Sequence, residues 1–416
     1  MIKKKLNNYF LILFSILPIS IIVGSSASLI NILIIDISFI SMIVYNKNYS
    51  FLKSKVLKYL IFLYLYLIFN SLISVDHSVG FYRNFGFLRI IILFVAINYF
   101  FNQKFFYKKV LFFWSLIILF VVLDVFFESL TGRNILGYGG NFGGQGGSRI
   151  VSFFKDEPIV GGYISGFYLI LIGYLFENFG KDKKNLILII SVICLICIFL
   201  TGERSNSIKA FTGLCFFYFF FSDFKIKHKI TIFCLIGVTM FFLILNSQFL
   251  KLRFIDQMKY YIQSDNIYFQ LYRSGFEVFK NNKLFGVGNK NYRVVTCDQA
   301  NINLNGDNEN YQCSTHPHQI YFELLSEHGV LGSFIILFIL YKVVFSKIRK
   351  TIKSKNFIQL GSLIYILITF LPLIPSGAFF GDYLLTIFTI NLSIFYSINS
   401  EFNIFKESSK REGKIF

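Results

Sequence analysis

The sequence predicts an all-α membrane protein that crosses a bilayer about twelve times, and three observations carry that expectation. Of 416 residues, 55% are hydrophobic and only 15% charged, with phenylalanine used 55 times. A soluble domain carries roughly 25% charged residues and has no interior large enough to hide this apolar surface. Apolar runs of about 17 to 24 residues recur along the chain, each able to cross a hydrocarbon layer of roughly 30 Å as a helix. Basic residues alternate between the segments that join these runs, as the positive-inside rule requires.

The runs are 9–25, 28–45, 57–74, 86–101, 110–127, 159–177, 186–201, 206–221, 230–246, 325–345, 358–375 and 382–398. Helix is required in each, because an unpaired backbone amide in lipid costs several kcal/mol. The first two are joined so tightly at Gly24 and Ser25 that they form a hairpin. Run 206–221 is short and carries Lys209, which makes it the weakest span. With the N-terminus cytoplasmic, one side collects Lys3 to Lys5; Lys47, Lys53 and Lys55; Lys104, Lys108 and Lys109; Lys181, Lys183 and Lys184; and Lys225, Lys227 and Lys229. The same side also collects Lys347, Arg349, Lys350, Lys353 and Lys355, and then Lys406, Lys410, Arg411 and Lys414. Adding or dropping one helix puts later basic loops on the wrong face, so twelve spans with both ends cytoplasmic is the self-consistent count.

This orientation accounts for most of the net charge of +19. A nucleic-acid reading needs a basic face on a soluble domain, and none is available. Lys3 to Lys5 ahead of an apolar run imitate a signal peptide, but no small-x-small cleavage site follows, so an uncleaved first helix is expected. The chain then divides into helices 1–9 (residues 1–246), a large external loop (247–317), helices 10–12 with a histidine-bearing entry (318–398) and a cytoplasmic tail (399–416).

Two external stretches carry chemistry. Between Glu128 and Pro158, eight glycines from Gly132 to Gly147 permit backbone geometries closed to other residues, either as a flexible linker or as a loop that packs over a polar substrate beside Arg149 and Lys155. The stretch from Ser247 to Thr315 is longer, with eight basic and six acidic side chains. Within it, Phe269, Tyr272, Phe276 and Phe279 follow helical spacing, so an amphipathic helix is expected, resting on the membrane or on the bundle. Arg273 and Glu277 lie four apart on it and are spaced for a local pair. A turn-rich NKLFGVGNKNYR follows. Cys297 and Cys313 are the only cysteines in a water-exposed stretch, and an oxidising outer side would let them form a disulfide around NGDNEN.

Next comes Thr315-His316-Pro317-His318-Gln319. Pro317 suits the first turn of a helix, which places His318 at the outer mouth of the following span. An H-x-H pair alone lacks the ligands for tetrahedral zinc; an imidazole that accepts a hydroxyl proton is the simpler reading. Arg204, in TGERSNS, and Arg83 and Arg89, around FYRNFG, lie at span ends. Each either snorkels to headgroups or pairs locally, Arg204 with Glu203, or else binds phosphate, whose oxygens the guanidinium fork matches.

The motifs together resemble the bacterial O-antigen ligase and O-antigen polymerase family. His318-Gln319 is followed nine residues later by Gly329-Val330-Leu331-Gly332, the preceding HPH resembles the H-x-H of ligases, and TGERS and LYRSGFEVFKNNKLFGVG resemble the arginine-bearing segments ahead of it. The resemblance implies a GT-C-like fold with its large periplasmic loop between helices 9 and 10. It also implies transfer of a glycan en bloc, without nucleotide, cofactor or essential metal, from an undecaprenyl-diphosphate-linked oligosaccharide at the periplasmic face of the inner membrane. His318 is then the proton acceptor, and Arg204 and Arg273 hold the departing diphosphate. His316, Arg149 and Gln319 are lesser substrate-binding candidates. Direct displacement would invert the anomeric centre. The acceptor is either another lipid-linked glycan, in a polymerase, or lipid A core, in a ligase; the polymerase is the first choice, since no feature marks a surface for lipid A core. Implied partners are bilayer lipids and, beside the enzyme, a chain-length regulator or flippase. Two other readings stand beside these: a metal-dependent glycosyltransferase using Asp156 and Glu157, and a lipid-linked oligosaccharide flippase or transporter, which internal repeats would have supported.

Overall fold

The computed structural model describes residues 2–140, 149–155, 157–180, 182–220, 226–259, 267–298 and 311–406. Among these there is no strand, and every apolar run falls on helix. In chain order the helices are α1 (Ile2–Ser15), α2 (Leu17–Val23), α3 (Ser25–Asn46), α4 (Lys55–Leu72), α5 (His77–Phe100) and α6 (Lys104–Thr131). They continue as α7 (Val160–Phe179), α8 (Lys184–Leu200), α9 (Arg204–Phe220), α10 (Ile226–Asn246), α11 (Gln248–Lys251) and α12 (Ile267–Asn281). The last are α13 (Tyr292–Thr296), α14 (Ile320–Val343), α15 (Ile348–Ser354), α16 (Phe357–Thr369) and α17 (Asp382–Ser397).

Among the described residues, eight helical stretches are long and apolar enough to cross a membrane: Lys5–Val23, Ser25–Asn46, Lys55–Leu72, His77–Phe100, Lys104–Thr131, Val160–Phe179, Lys229–Asn246 and Ile320–Ser354. α8 and α16 are shorter apolar helices. The outside of the bundle is apolar: Ile12, Ile30, Ile37, Leu65, Leu123 and Phe334 are each more than half exposed. Such a surface is stable only against lipid. The protein is therefore a multi-pass membrane protein. At its centre α7 and α16 touch backbone to backbone, because a side chain at Gly173 would strike the Phe357 carbonyl and one at Gly361 the Leu169 carbonyl. Small residues at a helix crossing permit this approach.

Several boundaries depart from the sequence expectation, each for a local reason. α5 begins at His77, well ahead of residue 86, because Asp76 Oδ1 accepts the Ser78 amide at 2.9 Å and caps the helix. Arg83, expected in a turn, therefore lies on α5, and both Arg83 and Arg89 reach Asp382 Oδ1 at 2.5 Å. α16 stops at Thr369, short of residue 375, ahead of Pro372 and Pro375. Pro317 precedes α14 instead of opening it, since Gln319 takes the N-cap.

The turn-rich 281–292 segment is a brace. α14 breaks at Gly329, which holds φ 63°. Into the break fits the 283–288 strap: Val330 and Leu331 amides donate to the Lys283 and Leu284 carbonyls at 2.9 and 3.2 Å, and Val287 and Gly288 amides donate to Ser326 and Glu327 at 2.9 Å each. Asn70 Oδ1 accepts the Asn289 amide at 2.8 Å, and Asn289 also bonds Asn84, so the strap is tied to α4 and α5.

α12 is the expected amphipathic helix, but its aromatic stripe divides. Tyr272 is buried and stacks on Phe322 of α14 at 5.2 Å, while Phe269 and Phe276 remain exposed. Glu277 pairs with Lys280 at 2.8 Å, replacing the local pair with Arg273 that the spacing suggested. Cys297 and Cys313 are joined by a disulfide, with Cα atoms 4.6 Å apart. The NGDNEN turn lies outside the described residues, as do Asp156 and residues 141–148 of the glycine-rich stretch.

Candidate functional site

Where α7, α9, α12, α16 and α17 converge, they enclose a cavity of about 390 Å³ lined by Arg149, Glu203, Arg204, Lys209, Arg253, Tyr268, His318, Ser376 and Tyr383, among others. Its wall is built on the 201–204 turn. Gly202, at φ 72°, turns its carbonyl toward Arg253, whose Nη2 and Nε donate to it at 3.2 and 3.4 Å, while Nη1 donates to Gln257 at 2.8 Å. The buried Glu203 carboxylate accepts the Gly161 and Gly162 amides at 2.5 and 3.1 Å and the Asn206 side-chain amide at 2.6 Å. It thereby caps α7, whose first turn would otherwise leave those donors unpaired. Burial pushes the Glu203 carboxyl up to about 6, although Asn206 and the two amides pull it down. Arg204 opens α9, and its Nη1 lies 3.5 Å from the Arg253 carbonyl. Ser205 and Asn206 of the same first turn face the cavity, so its wall includes a helix N-terminus, a natural place for an anion.

The opposite wall carries the histidines. His318 holds φ 55°, a left-handed conformation, and its carbonyl accepts the Ser376 amide at 2.8 Å. Its ring meets Tyr268 edge to face at 6.1 Å and lies 4.0 Å from the His316 ring. His316 is buried, with Nδ1 2.9 Å from Thr315 Oγ1 and Nε2 3.2 Å from the Ser376 carbonyl. The carbonyl can only accept, so Nε2 carries the proton and the Thr315 hydroxyl donates to Nδ1. Burial, with help from His318, pushes His316 down to about 3, and burial lowers His318 below its usual 6.5. Both rings are thus neutral at pH 7, and a neutral imidazole is the form that accepts a proton.

Glu323, wholly buried on α14, holds the 376–379 segment that contacts the histidines. Its two oxygens each lie 3.0 Å from the Phe379 amide, which fixes residues 376–379 beneath His316 and His318.

Of the residues singled out from sequence, Arg149, Arg204 and His318 meet in the cavity. His316 stands behind His318. Gln319 is buried, and its Oε1 accepts the Tyr321 and Phe322 amides at 2.7 and 3.1 Å, so it caps α14. Arg273 is exposed on α12 and does not line the cavity. Glu157 lines a smaller cavity of about 130 Å³ with Asp382 and Tyr383. Sequence reasoning passed over Arg253, Tyr268 and Tyr383. The signal for Arg253 was present, a lone arginine a few residues beyond the C-terminal end of run 230–246, at a span end like Arg204.

Residues 189–337 match the model of a protein family described as O-antigen ligase. The match covers 149 of the 416 residues, so this stretch is similar to an O-antigen ligase domain. The matched stretch spans Arg204, Arg253, Arg273, His318 and the Gly329 break, whereas Arg149 and the α17 wall lie outside it. No curated protein matches the chain.

Proposed function

We propose that the protein transfers a glycan from a polyprenyl diphosphate, undecaprenyl diphosphate in a bacterial inner membrane, to a hydroxyl of an acceptor glycan, as an O-antigen polymerase. The O-antigen ligase domain supports the polymerase and ligase class of activity. One observation carries the finer reading: a neutral histidine, His318, shares one cavity with the cations Arg149, Arg204, Lys209 and Arg253, and the only carboxylate among the described residues that line it, Glu203, is already bonded to backbone amides.

The chemistry is a displacement at the anomeric carbon. The acceptor oxygen forms the new bond to that carbon while its proton passes to His318. The bond from the anomeric carbon to the phosphate oxygen breaks, and its electron pair leaves with the diphosphate. Fixed cations stabilise charge that grows on the leaving group, without a cofactor to do so. Attack opposite the leaving group inverts the anomeric centre. Arg204, Arg253 and Arg149 are the diphosphate ligands in this reading; the role that the sequence placed on Arg273 passes to Arg253, and Arg273 is left to the glycan outside the cavity. His316 orients His318 through the shared Ser376 contact. Twelve spans, both termini in the cytoplasm, the 247–317 loop and the cavity facing the periplasm complete the arrangement.

The family description favours a second reading, a ligase that delivers the glycan to lipid A core. Turnover of a purified lipid-linked donor with each acceptor decides between them: product with a lipid-linked glycan acceptor is expected, and product with lipid A core alone rejects the polymerase. In the same assay His318→Asn, which tolerates a left-handed backbone, is expected to lower turnover about 10²- to 10⁴-fold. Near-native turnover of that variant removes His318 as the proton acceptor.

A further inference from the structure

One cation in the cavity has an unusual setting. Lys209 sits on α9, a turn and a half beyond Arg204, and is only 9% exposed. Its flanks on the helix are buried against the bundle, with Ala210 fully covered and Gly213 against Ile368 and Leu169. Among the described residues it makes no hydrogen bond or ion pair, and the cavity it lines is also lined by Tyr365, Ile368 and Thr369. A lysine can usually snorkel to water from such a place, but this one is covered. An ammonium held away from water is costly unless an anion meets it there. The apolar run to which Lys209 belongs would be a better membrane helix with leucine at that position.

We propose that Lys209 binds the lipid-side phosphate of the donor diphosphate, and so sets the depth at which the polyprenyl carrier enters the cavity. This rests on the donor class proposed above. Arg204 and Lys209 are five residues apart, roughly 7 to 8 Å along the helix axis. With their side chains converging on one cavity, the guanidinium takes the sugar-side phosphate near His318, and the ammonium takes the second phosphate deeper, where the isoprenoid begins. A compact point charge suits a single phosphate, whereas the planar forks above it suit the spread charge of the leaving group.

The test is binding of undecaprenyl diphosphate to the full-length protein in nanodiscs, for wild type, Lys209→Met, Lys209→Gln and Lys209→Arg. Met and Gln are expected to weaken binding about tenfold or more, as loss of a charge-assisted contact in a dry site does, and Arg to restore most of it. Because the lysine has no partner among the described residues, Lys209→Met is expected to melt no lower than wild type without ligand. Unchanged binding by both Met and Gln overturns the proposal, as does a loss matched by a lower melting temperature in both. If phosphatidylglycerol vesicles bind with the same Lys209 dependence, the site is one for lipid headgroups and the proposal fails. If wild type does not bind undecaprenyl diphosphate, the donor class itself is wrong; if it binds and the variants match it, only the role of Lys209 is.

Discussion

Replacing Gly329 by alanine tests whether the brace in α14 holds the site together. Gly329 has φ 63°, and a Cβ there would stand 2.4 Å from the Leu284 carbonyl and 2.6 Å from the Gly286 nitrogen, all backbone atoms that cannot rotate away. That conformation, φ 63° with ψ −167°, is essentially reserved for glycine and alone costs alanine about 1 to 3 kcal/mol. Relief of the clash requires the strap to move, which stretches the Val330 to Lys283 and Leu331 to Leu284 bonds, each worth about 0.5 to 1.5 kcal/mol. The sum is about 2 to 6 kcal/mol, a large share of the stability of a marginal fold. The strap leads from α12, which carries Tyr268 against His318, so turnover should fall with it. The assay is thermal unfolding in detergent together with donor turnover, beside Gly237→Ala as a control. Gly237 has an open space where its Cβ would go, and alanine in a helix is neutral or stabilising there. A Gly329→Ala protein that melts and turns over like the control would refute the brace.

Two further outcomes follow from the site. Since burial lowers His318 below 6.5, turnover should persist through mildly acidic pH and fall with an apparent pKa below 6.5 in a pH–rate profile; a limb above 6.5 contradicts the assignment. His316 adds a stability effect of defined sign: with its folded pKa near 3 and its unfolded value 6.5, the unfolded chain takes up the extra proton, so the melting temperature should drop as pH falls from 6.5 toward 3, less so in His316→Gln. Arg253→Ala should cut turnover about tenfold or more and weaken donor binding, while Arg273→Ala should leave donor binding within about twofold; equal losses would return Arg273 to the diphosphate.

Much of this protein is legible in its sequence because lipid is a demanding solvent. Apolar length and the requirement to pair every backbone amide specify helix at all twelve runs, and the unusual residues in such a chain, His318 and Arg204, stand out against 55% hydrophobic background. The breaks in α14 and after α16 are less legible: glycine and proline announce them, but not what fills them.

Tertiary structure alone decided which charges share a space. Arg253 and Arg273 are both arginines in the stretch from Ser247 to Thr315, and the family resemblance favoured Arg273. Only packing turns Arg253 inward onto the Gly202 carbonyl and leaves Arg273 on the outer side of α12. Gln319 looked like a ligand because it follows the histidine, yet the orphan amides of α14 claim its oxygen. Lys209 looked like a flaw in a span until the cavity beside it appeared. The apolar length of a run fixes that it is a helix in lipid, whereas the partner of each polar side chain depends on contacts far apart in sequence, which no local pattern records.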